Sequence, residues 1–446
     1  MPVKTSDWEH GAHVGGYSIV IDVRTPAEWE DDHIPGAVNM PVLDHDQRHQ
    51  VGLTYKKDSF EGRKLGASLI ADSISKIIKE HFMDKEQSWK PLVYCWRGGK
   101  RSGSLALVLE QIGFQASVLE GGYKAYRAQV QAQLQTLPPK LEWRVLTGPT
   151  GSGKTEILHH LDAQGHQVLD LEGLAMHRGS VLGSWEQAQP TQKLFEGHLN
   201  LKLQNFDPAK PVWVEDEASV IGKIHVPKLL FESMMPATRY EVCLPFDVRI
   251  RHLMSEYQHM VDNPDTLKDL LSRLTQHQGH ARIAEWHALI DEGNTPELVR
   301  QLLVQHYDPA NARSIKARLS KYKPGYQTVR ISSLDGETLS RQLPAEIFLP
   351  ADQQTQTLTA EEKQLWFHET AHTGFNASKD EQDSKDCRHE RRYHCNSNSR
   401  RTQPDTHGST NPSGNNPDSE GGGDRGHAGE RGGSGEEDRK SVDGQE

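Results

Sequence analysis

Nine consecutive residues, Tyr94-Cys95-Trp96-Arg97-Gly98-Gly99-Lys100-Arg101-Ser102, combine a thiol, two glycines and three cations. An apolar run, Pro91 to Tyr94, enters them, and a small-and-apolar run, Ser104 to Ile112, leaves them. That order reads as strand, tight loop, helix start. The glycines let successive backbone N–H groups turn inward. The helix N-terminus adds partial positive charge to that of Arg97, Lys100 and Arg101. A cysteine at the mouth of such a loop has a lowered pKa and is a nucleophilic thiolate. Cys95 is therefore the expected catalytic residue, with Arg97, Gly98, Gly99, Lys100, Arg101 and Ser102 as its anion-binding loop. A core cysteine would need no cationic glycine loop.

A second stretch, Gly148-Pro149-Thr150-Gly151-Ser152-Gly153-Lys154-Thr155, has the P-loop pattern of glycine, four residues, then Gly-Lys-Thr. The strand-like run Trp143 to Thr147 precedes it and Glu156 to Leu161 continues as helix, the context that such a loop needs. The backbone of Gly148, Gly151, Ser152 and Gly153 would cradle a phosphate chain. Lys154 would neutralise it, and Thr155 could hold Mg²⁺. Pro211 to Glu217 reads as a buried strand ending in Glu215, Asp216 and Glu217, where a carboxylate beside the metal would sit. Asp216 and Glu215 are equal candidates for that part.

The elements that must position these loops follow the order of an α/β protein. Ser18 to Arg24 reads as a buried strand, and Thr25-Pro26-Ala27-Glu28 starts a helix with a capping box and proline at its first position. His33 to Pro41 is a turn into a short strand, and Ala116 to Leu119 is a further strand before Glu120-Gly121-Gly122-Tyr123. Strands alternating with helices predict a parallel sheet. Val51 to Trp89 is an insertion; Leu65, Leu69, Ile70, Ile74, Ile77 and Ile78 predict a helix over about 61–81. Lys56, Lys57, Arg63 and Lys64 form either a local basic patch or a solvated surface. Gln129 to Lys140, polar and with Pro138-Pro139, reads as a linker.

In the second half, His177 and Arg178 sit beside a glycine in a loop suited to an anion or RNA contact. Cys243 lies in an apolar strand and reads as core. Asp247 to Tyr307 is helical in pattern. Arg313 to Arg330 carries Arg313, Lys316, Arg318, Lys321, Lys323 and Arg330 with Tyr322 and Tyr326 interleaved, the best nucleic-acid candidate by composition. A plain solvated helix would give the same composition.

The net charge of −11 leaves −7 for residues 1–370, which argues against generic nucleic-acid binding without excluding a local basic groove. The four cysteines are sparse, fitting a reducing cytoplasm and no disulfide framework. The N-terminus is polar, unlike a signal peptide, and no apolar run is long enough to span a bilayer. From about Thr370 the sequence loses hydrophobic periodicity and reads as a disordered tail. Its Cys387, His389, His394 and Cys395 match no common zinc finger, so no metal site is expected.

The N-terminal pieces resemble the rhodanese family: Asp22-Val23-Arg24, Glu28-Trp29, His33-Ile34-Pro35-Gly36-Ala37, the Cys95 loop and Gly121-Gly122-Tyr123. That resemblance implies that Cys95 carries sulfur or selenium. The five residues between Cys95 and Arg101 depart from common rhodanese loops and match phosphatases of the same fold, whose loop encloses a phosphate. A rhodanese module joined to a P-loop module resembles the tRNA 2-selenouridine synthase family. Val51-Gly52 and Tyr55, Leu119 to Arg127, His177-Arg178-Gly179-Ser180, Gln189-Pro190, Glu215 to Glu217 and His306-Tyr307-Asp308-Pro309 carry the match over residues 5–345. The implied fold is a rhodanese-like parallel α/β domain at 1–130, a linker at 131–140 and a P-loop α/β domain with a helical C-terminal part at 141–345. A linker and disordered tail follow at 346–446.

The implied reaction, in the cytoplasm, is geranylation of wobble 2-thiouridine in tRNA with geranyl diphosphate, then exchange of the geranylated sulfur for selenium from selenophosphate. No tightly bound cofactor is implied. A selenophosphate supply enzyme is an implied partner. Gly66, His177, Arg178, Lys316, Arg318 and Lys321 are candidate substrate or tRNA contacts. The alternative is a P-loop kinase or NTPase with a regulatory rhodanese-like or phosphatase-like domain.

Overall fold

Short apolar runs bounded by glycine, proline and capping residues fold into two five-stranded parallel sheets. The computed structural model describes residues 4–6, 16–179, 183, 187–319 and 321–348, and the expected tail with Cys387, His389, His394 and Cys395 lies outside them. The first lobe runs β1 (Lys4–Ser6), β2 (Ile19–Asp22), α1 (Pro26–Asp31), β3 (Val38–Asn39), α2 (His45–Lys57), α3 (Ser59–His81), β4 (Pro91–Tyr94), α4 (Lys100–Ile112), β5 (Ser117–Leu119) and α5 (Gly122–Leu134). Its sheet order is β1-β5-β4-β2-β3, all parallel, so β4 is central and delivers Cys95 at its C-terminal end. Functional groups of open α/β sheets gather at that end. Ile21, Val93, Leu105, Leu109 and Val118 fill one side of the sheet with Ile70, Ile74 and Ile77 of α3.

The capping box at α1 forms as the residues predict. Thr25 accepts from the Glu28 N–H, and the Glu28 carboxylate accepts from the Thr25 N–H. The helix expected over 61–81 forms as α3, and α2 precedes it, so the inserted segment is a helical hairpin. Asp58 ends α2 and caps α3. Lys56, Lys57, Arg63 and Lys64 lie near its exposed tip, where Lys64 pairs with Glu61 at 2.7 Å. An ideal Cβ at Gly62 would sit 2.4 Å from Tyr55 Cα, so the two backbones meet directly.

The second lobe follows a short 3₁₀ turn at Pro138–Lys140. It runs β6 (Trp143–Thr147), α6 (Lys154–Ala163), β7 (Gln167–Leu169), α7 (Leu171–Ala175), α8 (Gln192–Gln204), β8 (Val212–Glu215), β9 (Val220–Ile221), β10 (Ile224–His225), α9 (Lys228–Met234) and β11 (Thr238–Cys243). A helical part comprises α10 (Phe246–Glu256), α11 (Gln258–Val261), α12 (Pro264–Ser272), α13 (Thr275–Gln278), α14 (His280–Asp291), α15 (Thr295–Leu302), a π turn at Leu303–Tyr307 and α16 (Asp308–Leu319). β12 (Tyr326–Arg330) and α17 (Gly336–Phe348) complete the lobe, α17 passing the expected boundary at 345. The sheet order β12-β11-β6-β8-β7 is parallel throughout and sets the acid-ended β8 beside the P-loop strand β6.

The stretch expected as a linker at 131–140 is built into the fold instead. α5 runs to Leu134, and Leu134 and Pro138 are buried. The reason is apolar spacing: Tyr123, Tyr126, Val130 and Leu134 place one stripe on α5. That stripe meets Phe195, Leu199 and Leu203 of α8 in a core shared by both lobes. Polar contacts edge the seam. Arg127 pairs with Glu196, Lys193 Nζ lies 2.6 Å from Asp31, and Asn200 Nδ2 donates to Gln133 Oε1 at 2.8 Å.

Candidate active site

Cys95 lies at the floor of its loop, 3% exposed, rather than at the mouth. The helix begins at Lys100, earlier than the apolar run alone indicates, so the first turn of α4 faces the sulfur. Gly99 N–H donates to Cys95 Sγ at 3.2 Å and the Ser102 hydroxyl donates to it at 3.3 Å. Burial raises the thiol pKa. The Ser102 hydroxyl, the Ser102 and Arg97 backbone N–H groups and the Arg101 charge outweigh it, and the thiol lies below its ordinary value. Gly122, with φ +57°, backs the loop: a Cβ there would stand 2.4 Å from Cys95 O and 2.5 Å from Gly98 N.

The three cations divide. Arg97 and Lys100 are exposed at the rim. Arg101 turns to Glu28, donating from Nη1 to Oε2 at 2.9 Å, so the residue expected to complete the anion cradle is held by a carboxylate. A buried network lies behind the loop. Arg24 Nη2 donates to Asp22 Oδ2 at 2.7 Å and to Asp32 O at 2.6 Å, and Tyr123 donates to Asp32 Oδ2 at 2.5 Å.

In the second lobe the Gly148–Thr155 loop joins β6 to α6 as its pattern predicts. Lys154 Nζ rests 3.5 Å from Gly148 O. Sequence reasoning missed the residues that brace this loop. Arg249 of α10, buried, donates from Nη2 to Thr150 O at 2.8 Å and pairs with Asp308 at 2.8 Å. Asn311 Nδ2 donates to Gly148 O at 3.1 Å. Asp308 stood in a recognised motif, whereas Arg249 carried no local signal. Leucines wall the loop: a Cβ at Gly151 would lie 2.7 Å from Leu253, and one at Gly153 would lie 2.3 Å from Leu334 Cδ2.

The acids of β8 take three different places. Glu215 is buried and accepts from the N–H groups of Leu171 and Glu172 at 2.6 and 2.8 Å. Burial, with Asp170, Glu172 and Glu217 close by, raises its pKa well above the ordinary value. Asp216 accepts from the Thr147 hydroxyl at 2.9 Å. Glu217 faces Glu172, another residue that the sequence did not single out. Burial first and the Glu217 charge second push the Glu172 carboxyl up to about 8, against the Lys154 charge.

Gly66 is buried in the hairpin, where a Cβ would lie 3.2 Å from Val51 Cγ1; it is a helix-packing residue, not a surface for substrate. Arg178 pairs with Glu256 at 2.8 Å and stacks over Tyr257, and His177 Nδ1 accepts from Gly179 N–H at 3.0 Å. Lys321 is exposed, while the Lys316 and Arg318 side chains lie outside the described residues. Tyr322 and Tyr326 pack against the shared core, so they do not form the open aromatic face that their interleaving suggested.

Fold and loops together define a rhodanese-like domain carrying a thiol cradle, joined to a P-loop domain. Residues 9–129 match the rhodanese-like domain family and residues 141–323 match the tRNA 2-selenouridine synthase AAA domain. A tRNA 2-selenouridine synthase of Shewanella halifaxensis is 30% identical over 320 residues, covering 65% of this chain and 87% of that one. One of Shewanella loihica is 32% identical over 288 residues, covering 63% and 74%. One of Nitrosomonas europaea is 36% identical over 243 residues, covering 53% of this chain, and the match spans 63% of that relative's length. The chain belongs to the tRNA 2-selenouridine synthase family. Among the described residues no helix is long and apolar enough to cross a membrane.

Proposed function

We propose that the protein converts 2-thiouridine at the wobble position of tRNA to 2-selenouridine in two steps. In the first, the thione sulfur attacks the allylic carbon of geranyl diphosphate; the C–S bond forms, the C–O bond breaks and diphosphate leaves. In the second, the selenium of selenophosphate attacks C2 and the C–S bond breaks to expel geranylthiolate; water then cleaves the P–Se bond, releasing phosphate and leaving selenium on C2. Alkylation makes the sulfur a competent leaving group. The observation that carries this reading is the union, through one continuous core, of a cationic thiol cradle and a phosphate loop walled by leucines.

The Gly148–Thr155 backbone would hold the diphosphate and Lys154 would neutralise the charge that grows on it. Leu253 and Leu334 beside the loop suit an isoprenoid tail better than a polar nucleoside. A magnesium ion would be held by Thr155 together with an acid at the end of β8. Cys95 would serve the selenium step, its thiolate facing selenophosphate within the loop. The Arg101–Glu28 pair leaves the loop less suited to phosphatase chemistry. The setting is the cytoplasm, with an enzyme that makes selenophosphate as the supplier.

One incubation of enzyme, 2-thiouridine tRNA, geranyl diphosphate and selenophosphate, read by nucleoside mass spectrometry, tests the reading. Lys154→Ala is expected to form neither product, and normal geranylation by it would overturn the diphosphate assignment. Cys95→Ala is expected to accumulate geranylated tRNA without selenouridine. ATP turnover independent of tRNA would instead favour a P-loop NTPase with a regulatory lobe.

A further inference from the structure

Among the described residues Trp96 is the one exposed tryptophan, at 42%, and it directly follows the candidate nucleophile. Its mount is stiff. The indole leans on Tyr123 with centroids 5.2 Å apart and planes 33° from each other. The Arg24 guanidinium lies 4.0 Å from the Tyr123 ring, and the Tyr123 hydroxyl is tied to Asp32. The main chain is fixed as well: Lys124 N–H donates to Trp96 O at 3.0 Å, and Tyr123 N–H donates to Cys95 O at 2.9 Å. A preorganised aromatic that the fold leaves in water is poised for a planar ligand, since stacking loses little side-chain entropy there.

Arg97 and Lys100 stand exposed in the same loop and supply positive charge at its rim. Aromatic rings beside cations are the usual means of holding an unstacked nucleobase and its phosphates. Among the described residues Phe60 is the other large exposed aromatic ring, and it sits at the hairpin tip beside Lys64.

We infer that Trp96 is the stacking platform for the nucleobase undergoing reaction, holding its ring over the Cys95 loop while Arg97 and Lys100 face the neighbouring phosphates. This rests on the proposed reading that the substrate is an RNA with an accessible 2-thiouridine. Base-specific stacking at the thiol, rather than affinity for the RNA as a whole, is what the residue contributes.

The test compares an anticodon stem-loop bearing wobble 2-thiouridine with the same RNA abasic at that position, by fluorescence anisotropy. Wild-type protein is expected to bind the abasic RNA about tenfold more weakly. Trp96→Ala is expected to bind both RNAs at that weaker level, and Trp96→Phe to keep most of the discrimination. Unchanged unfolding temperatures establish that the variants are folded. The inference is overturned if Trp96→Ala binds the intact RNA as tightly as wild type, or loses affinity equally for both RNAs. Failure of the wild type to bind either RNA removes the proposed function too; binding without regard to the base removes this inference alone.

Discussion

The Cys95 thiol is set by a contest between burial and three kinds of donor, and Ser102 is the side chain that can be removed most cleanly. Ser102→Ala deletes one donor to the sulfur and leaves the Gly99 N–H in place. Its thiol pKa should rise, and iodoacetamide labelling of Cys95 at pH 7 should slow severalfold, the rate–pH profile moving to higher pH. A profile identical to wild type would mean that the backbone alone sets the thiolate. The thiol, its glycines and the helix behind it were readable from nine adjacent residues, because the chemistry there is local. The partner of Arg101 was not. Glu28 is 73 residues away in sequence and meets Arg101 only because the fold sets the first turns of α1 and α4 side by side. Arg249 was hidden for the same reason, reaching Thr150 O across 99 residues from a helix with no motif.

Helices and strands were largely legible where periodicity and caps agreed, as at β4, β6 and α3, and less so where packing decided. The hairpin shows the difference. Its glycines look alike in sequence to Gly103 of α4, yet an added methyl has opposite consequences. At Gly62 the new Cβ would meet Tyr55 backbone at 2.4 Å, so Gly62→Ala should destabilise by about 1–3 kcal/mol despite better helix propensity. At Gly103 nothing lies within 4 Å, so Gly103→Ala should stabilise by about 0.5–1 kcal/mol. Urea midpoints measure both, and equal signs would refute the contrast. Towards the end of the second lobe Asp335 caps α17, accepting from Thr338 N–H at 2.8 Å. That bond to the Thr338 N–H, foremost among the causes, lowers its pKa from 3.8 to about 2 in the folded state. Its contribution is therefore complete above pH 4 and is lost as pH falls through 2. Asp335→Ala should lower stability at pH 7 by about 1 kcal/mol, and its deficit against wild type should shrink towards pH 2. A deficit independent of pH would mean that the carboxylate charge is not what caps the helix.

The two lobes share one apolar core, and the seam between α5 and α8 is close. A Cβ at Gly197 would lie 2.6 Å from the Tyr126 hydroxyl. Gly197→Leu should therefore separate the lobes and split a single thermal transition into two, whereas the same change at Gly103, where nothing lies within 4 Å of an added Cβ, should not. The sequence placed a free linker at this seam because polar residues and two prolines dominate 131–140; the stripe that contradicts it begins upstream, on α5. With the seam intact, melting either lobe exposes the apolar stripe of the other, so stability added anywhere is felt everywhere. Inorganic pyrophosphate bound at the Gly148 loop at a hundred times its dissociation constant would add about 2.7 kcal/mol to the whole unit. It should then shield the Cys95 thiol from labelling in the heated protein, although the loop that binds it belongs to the other lobe. The joined core thus makes the phosphate loop a thermal guardian of the thiol.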